Sequence, residues 1–182
     1  MPGGGKSTIG RHLARRLGRD FVDSDAAIEK RIGCSIRTFF EQEGEERFRD
    51  TEAQVLRELV ESTCGVIATG GGIVLREANR QVLRDRTVCI YLRSTPEELF
   101  RRVRHDSKRP LLQVADPLVK MRELFIKRDP LYRETAHFII ETGRPSVPAL
   151  VNVILMQLEL AGLVDPSSVP SPVDALKDVP LR

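Results

Sequence analysis

The chain has 182 residues, with 29 lysines and arginines against 26 aspartates and glutamates, a formal net charge of +3. So small an excess gives no electrostatic footprint for nucleic acid, no apolar run approaches membrane-spanning length, and no signal-peptide pattern opens the sequence. Three widely spaced cysteines (Cys34, Cys64, Cys89) and three histidines (His12, His105, His137) show neither C-x-x-C nor metal-ligand spacing, so a disulfide framework and a zinc site are not indicated and a reducing, cytosolic setting is expected.

The length fits one domain, or one domain with a tail. The first eight residues, Met-Pro-Gly-Gly-Gly-Lys-Ser-Thr, read as the second half of a phosphate-binding loop. Gly3, Gly4 and Gly5 let the backbone wrap a phosphate with its N–H groups inward. Lys6 would reach β- and γ-phosphates, the Ser7 hydroxyl would sit on Mg²⁺, and Thr8 lies in the helix start whose dipole favours the anion. The full pattern G-x-x-x-x-G-K-[ST] needs a glycine five residues before Gly5, immediately before Met1. The sequence thus opens inside the motif, without the buried strand that normally feeds such a loop.

Ile9, Leu13 and Leu17 recur every fourth residue on one helix face, and Gly18 is a natural C-cap. Phe21-Val22 reads as a short strand entering Asp23-Ser24-Asp25. These acids are either a helix N-cap with an exposed neighbour or, next to a phosphate loop, carboxylates useful to Mg²⁺. Ser35 can cap a helix with Ile36, Phe39 and Phe40, which Gly44 interrupts. A longer helix from about Glu45 to Thr63 buries Phe48, Val55, Leu59 and Val60. Arg49 lies about 100° round it from Phe48, at the edge of that stripe.

Gly65 to Ala68 is a second strand, running into Thr69-Gly70-Gly71-Gly72. Three successive glycines cost backbone entropy, so at a strand end they mark either a flexible turn or a ligand close to the backbone. Arg76 to Leu83 reads as a helix and Thr87 to Leu92 as a third strand. Thr95-Pro96-Glu97-Glu98 is a capping box with proline at the first helical position. His105 to Pro117 reads as a flap carrying Lys108 and Arg109. The next helix is expected to break at Pro130. His137 to Ile140 is a last strand and Val147 to Leu160 a closing helix. From Ala161 the composition shifts to Pro, Ser, Asp and Val, a pattern of disorder.

Short apolar strands alternating with helices predict an α/β fold with a parallel sheet covered on both faces. Ligands should gather at the carboxyl ends of its strands, where the glycine loop, Asp23-Ser24-Asp25 and Thr69 to Gly72 all fall.

In this order the pieces resemble the shikimate kinases, small P-loop kinases of the nucleoside-monophosphate-kinase type. The match runs from Pro2 to about Leu160. It rests on Gly-Gly-Lys-Ser-Thr, Asp23-Ser24-Asp25, Phe48-Arg49, Gly70-Gly71-Gly72, Arg109-Pro110-Leu111-Leu112 and Arg128-x-Pro-Leu-Tyr. A lone glycine loop would be weak; all six in order are specific. The resemblance implies a three-layer P-loop kinase fold over residues 1–160, a shikimate-binding region at about 25–62 and a lid at about 105–117. It implies transfer of the γ-phosphoryl of ATP to the 3-hydroxyl of shikimate by a cytoplasmic, monomeric enzyme, with no nucleic-acid or membrane partner. Asp25, Arg49, Gly71 and Arg128 would bind shikimate, and Lys6, Asp25 and Arg109 would serve catalysis. Ser7 and, through water, Asp23 would hold Mg²⁺. Arg102 would lie against adenine, with Arg144 a weaker candidate for the same loop.

One departure is expected to matter. The family's first strand lies mid-sheet, and a central strand buries as much as a domain's whole net stability. The chain as written is therefore expected to be unstable or partly folded, with a true start upstream of Met1. Two other readings stay open at this level: a gluconate-type P-loop kinase, and a non-catalytic remnant that binds without turnover.

Overall fold

The computed structural model describes residues 1, 3–104, 116–143, 145–165 and 167. Helix α1 (Lys6–Leu17) starts at Gly5 and ends at Gly18, both left-handed. Past Gly18, the Arg19 N–H closes on the Ala14 carbonyl at 2.9 Å, satisfying the helix end as a glycine cap does. Strand β1 (Asp20–Asp23) leads straight into α2 (Ser24–Ile32), whose N-cap is Asp23. Helix α3 (Ile36–Ser62) is capped by the Ser35 hydroxyl and kinks at Gly44, where φ is 80°. The interruption expected at that glycine is present: its backbone is not helical, and two helical segments meet there at a kink.

Strand β2 (Gly65–Ala68) has the expected bounds. A single 3₁₀ turn (Ile73–Leu75), which periodicity does not reveal, links Gly72 to α4 (Glu77–Arg86). Strand β3 (Ile90–Arg93) starts later than the expected Thr87. The Thr87 hydroxyl bonds the Leu83 carbonyl at 2.6 Å, and the Cys89 N–H bonds the His137 ring at 3.0 Å, so that N–H does not enter the ladder, while the Cys89 carbonyl accepts from the Phe138 N–H at 3.2 Å. Helix α5 (Pro96–Val103) carries the complete capping box of Thr95 and Glu98.

Helix α6 (Pro117–Thr135) corrects the expected break, because it passes through Pro130 without ending. A proline there forfeits one helical hydrogen bond. Burial of Met121, Tyr132 and Thr135 on either side of it holds the helix to the core and outweighs that loss. Strand β4 (Phe138–Glu141) and α7 (Val147–Leu160) complete the described elements.

β1 pairs with β2 and β3 with β4, all in parallel, but as two separate two-stranded sheets. Among the described residues no strand lies between β2 and β3. A cavity of about 390 Å³ occupies that place, walled by Ile9, Leu13, Leu56, Val66, Tyr91 and Ile154. The two faces bury different clusters. Ile9 and Leu13 of α1 pack with Ile140 and with Val151, Ile154, Leu155 and Leu158 of α7. On the other face Leu56, Val74, Leu83, Leu99, Met121 and Tyr132 pack with Tyr91. Successive residues of β3 serve opposite faces, since Ile90 and Leu92 join the first cluster and Tyr91 the second, as the two-residue strand period requires.

Candidate active site

The carboxyl ends of β1 and β2 and the start of α1 meet at one place. Gly3 and Gly5 have φ of 76° and 73°, backbone that only glycine adopts easily, and they bring the chain round to the amino end of α1. Gly4 is buried between them, and Thr8 is exposed on the first turn. Lys6 donates to the Met1 carbonyl at 2.9 Å. The Met1 amine is buried and donates to the Tyr132 hydroxyl at 3.1 Å. Burial, with Lys6 and Arg128 nearby, pushes that amine well below its usual pKa.

Ser7 and Asp23 come together, the hydroxyl donating to Asp23 Oδ2 at 2.5 Å. The other Asp23 oxygen accepts from the Asp25 N–H at 3.0 Å. Asp23 is thus the helix cap, as one of the two sequence readings has it, and is also the partner of Ser7. A hydroxyl and one carboxylate are hard oxygen donors, the kind Mg²⁺ takes when phosphates and water supply the remainder. No cluster of three or more His, Cys, Asp or Glu that could hold a metal ion occurs among the described residues.

The three glycines after β2 each lie against a different charged side chain, and at Gly70 and Gly72 there is no room for a Cβ. A Cβ on Gly70 would stand 2.5 Å from Asp25 Oδ1, one on Gly72 would collide with the Arg49 guanidinium, and one on Gly71 would stand 3.7 Å from Arg128 Nη1. The Gly70 N–H bonds the buried Ser24 hydroxyl at 3.1 Å, tying this turn to α2. The Gly71 carbonyl accepts from the Tyr132 hydroxyl at 2.6 Å and from Arg128 Nη1 at 3.3 Å. Asp25, Arg49, Gly71 and Arg128, distant in sequence, therefore surround one turn.

Arg49 is held on both flanks. Nη1 donates to Glu52 Oε2 at 2.7 Å, Nη2 to Glu45 Oε1 at 3.2 Å, and the guanidinium lies 5.1 Å over the Phe48 ring. Glu52 is nearly fully buried, and burial raises its pKa against the pull of Arg49. The pKa of Asp25 is raised from its usual 3.8 by lost hydration first and by Asp23 second, with Lys6 and Arg49 opposing. Arg128 Nε is buried with no partner among the described residues.

Arg102 stands apart from this group. It donates to the carbonyls of Thr142 and Gly143 beyond β4, the latter at 3.0 Å. Arg109 and Arg144 lie outside the described residues, as do the 105–115 part of the flap, Pro2 and residues 168–182 of the tail. Glu52, Ser24 and Tyr132 carry no assigned role in the sequence reading. Glu52 was findable, since it follows Arg49 at the i+3 helix spacing at which side chains meet. Ser24 and Tyr132 act through contacts across 46 and 61 positions, which no local pattern reveals.

The shikimate kinase family model matches residues 2–159. The chain belongs to the shikimate kinase family. A family relative from Paracidovorax citrulli is 59% identical over 170 residues, covering 92% of this chain and 93% of its own length. One from Burkholderia thailandensis is 56% identical, covering 90% and 89%. The solved Acinetobacter baumannii shikimate kinase in complex with shikimate superposes with a TM-score of 0.82 at 46% identity, covering 90% of each chain. By membership the chain is a kinase of the shikimate pathway with ATP as phosphoryl donor, on the P-loop kinase fold. These relatives resolve the open choice against a gluconate-type enzyme.

Proposed function

We propose that the turn Gly70-Gly71-Gly72 is the floor of the shikimate pocket, with Asp25, Arg49 and Arg128 as its walls. The observation that carries this is that Asp25 and Arg49 fill the space that Gly70 and Gly72 leave, while Arg128 bonds the Gly71 carbonyl at 3.3 Å. Shikimate offers one carboxylate and three hydroxyls. Arg49 and Arg128 present guanidinium forks, each charge-assisted contact being worth about 1.5–3 kcal/mol. The unpartnered Arg128 Nε supplies a donor for the carboxylate. The Gly71 N–H reaches substrate without side-chain crowding, and Asp25 orients the attacking 3-hydroxyl and accepts its proton.

On the nucleotide side the backbone of Gly3, Gly4 and Gly5, with Lys6 and Thr8, cradles the phosphates. Ser7 and, through water, Asp23 would hold Mg²⁺, which would offset charge on the phosphates. Arg109 contacts the transferring phosphoryl, and Arg102 with Arg144 flanks adenine. Catalysis is then positioning and charge stabilisation, with a lid at 105–117 that excludes water. The kinase unit spans 1–160, with the substrate region at about 25–62. No helix among the described residues is long and apolar enough to cross a membrane. A cytoplasmic monomer with small-molecule partners fits this reading.

The test is a substrate panel with ATP and Mg²⁺, the product identified by mass. Shikimate should be phosphorylated and gluconate and nucleosides left untouched. ATP-dependent phosphorylation of gluconate in preference to shikimate, or binding of shikimate without turnover, would contradict it.

A further inference from the structure

The turn of α6 that carries Arg128 also carries Asp129, which is 9% exposed. Asp129 Oδ1 accepts two hydrogen bonds from β3, from the Tyr91 hydroxyl at 2.9 Å and from Arg93 Nε at 2.9 Å. Its other oxygen lies 3.4 Å from Arg133 Nε, one turn on. Arg93 continues to Glu141 of β4 at 3.0 Å and lies 5.3 Å over the Phe125 ring of α6. Tyr91 stacks on Tyr132 with centroids 4.8 Å apart, and Tyr132 in turn bonds the Gly71 carbonyl. A continuous path therefore runs from β3 through Asp129 to α6, and from α6 back to the glycine turn.

Apolar burial is non-directional, so the packing of Met121 and its neighbours does not by itself fix how far α6 is rotated about its axis. Pro130 removes a backbone donor in this very turn, which weakens the helix's own ladder there. The two β3 bonds to Asp129 are directional and sit one residue from Arg128. We propose that Asp129 is a positioning residue for the substrate side of the site: anchored by Tyr91 and Arg93, it sets the rotation of α6 that places Arg128 and Tyr132 on Gly71. This rests on Arg128 being a carboxylate anchor for shikimate. A misplacement of about 1 Å costs on the order of a hundredfold in a positioned site, so even a partial slip is measurable.

The test compares Asp129→Ala, Asp129→Asn and Tyr91→Phe by steady-state kinetics in both substrates. Asp129→Ala should raise KM for shikimate about tenfold and leave KM for ATP within about twofold. Asp129→Asn, which keeps an oxygen acceptor for Tyr91 and Arg93, should return most of that loss. Tyr91→Phe, which deletes one bond and no buried volume of note, should raise KM for shikimate about threefold, and it stands in if Asp129→Ala fails to fold. An unchanged KM for shikimate in a folded variant, or an equal rise in both KM values, would overturn the proposal.

A double-mutant cycle separates it from the reading beneath it. Arg128→Ala alone should raise KM for shikimate; if it does not, the carboxylate-anchor reading fails. Asp129→Ala added to Arg128→Ala should then change KM for shikimate little further. A full, additive effect would defeat the role of Asp129 and leave that of Arg128 standing.

Discussion

Arg49 is set before any substrate arrives, with Glu52 and Glu45 on its nitrogens and Phe48 beneath its plane. A fork held in this way loses little freedom on binding, so its removal is felt almost entirely as lost contact. Arg49→Ala should lower kcat/KM for shikimate about 10- to 150-fold, the equivalent of one charge-assisted contact, and leave KM for ATP within about twofold. Steady-state kinetics in each substrate check it.

Asp25 carries the pH dependence. In the proposed role of proton acceptor it must be ionised, and its pKa lies above 3.8 because of lost hydration and Asp23. Activity should therefore fall as pH drops through that raised value, with its acid limb above 3.8. Stability has the opposite sign. A carboxyl whose folded pKa is raised contributes stability below its unfolded value of 3.8, and that contribution is lost as pH rises through the folded value. Asp25→Asn should abolish turnover and, above the raised pKa, increase the unfolding temperature. A pH series of rates and melting points measures both effects.

At the scale of elements, local chemistry was the readable part. Ser35, Thr95 and Gly18 act as the caps their residue types predict, because a cap is decided by groups within three or four positions. Thr95→Ala removes the hydroxyl that accepts from the Glu98 N–H and leaves the backbone half of the α5 capping box in place; it should cost about 1 kcal/mol, read from the urea midpoint. Elements decided at long range were misjudged. Pro130 does not stop α6, because distant packing overrides the local signal. Cys89 stays outside β3, because its N–H is taken by the ring of His137, 48 positions away. The same division runs through the site. Lys6, Ser7, Asp23 and the three glycines stand in readable motifs. The convergence of Asp25, Arg49 and Arg128 on Gly70-Gly71-Gly72 is implied by the family resemblance and by no local pattern, and the bonds of Asp129 to β3 exist only once the chain is folded.

At the scale of the molecule, the feature with most consequence is the opening between β2 and β3. Each of these strands is paired on one side only, and an apolar cavity separates them. Backbone groups on an open strand edge exchange with water more readily than groups within a ladder. The amides of β2 and β3 that point towards the cavity should exchange hydrogen at least about tenfold faster than those bonded between β1 and β2 or between β3 and β4. Mass spectrometry or NMR reads this directly. Equal protection on both sides of each strand would mean that the opening is filled.

The glycine turn draws its ligands from α2, α3 and α6, so the pocket is a property of the whole fold. Titration of ¹⁵N-labelled protein with shikimate tests that claim most directly. The largest shifts should fall on the amides of Gly70, Gly71 and Gly72 and on the side-chain Nε signals of Arg49 and Arg128. Saturable shikimate binding that leaves those signals in place and moves others would contradict it.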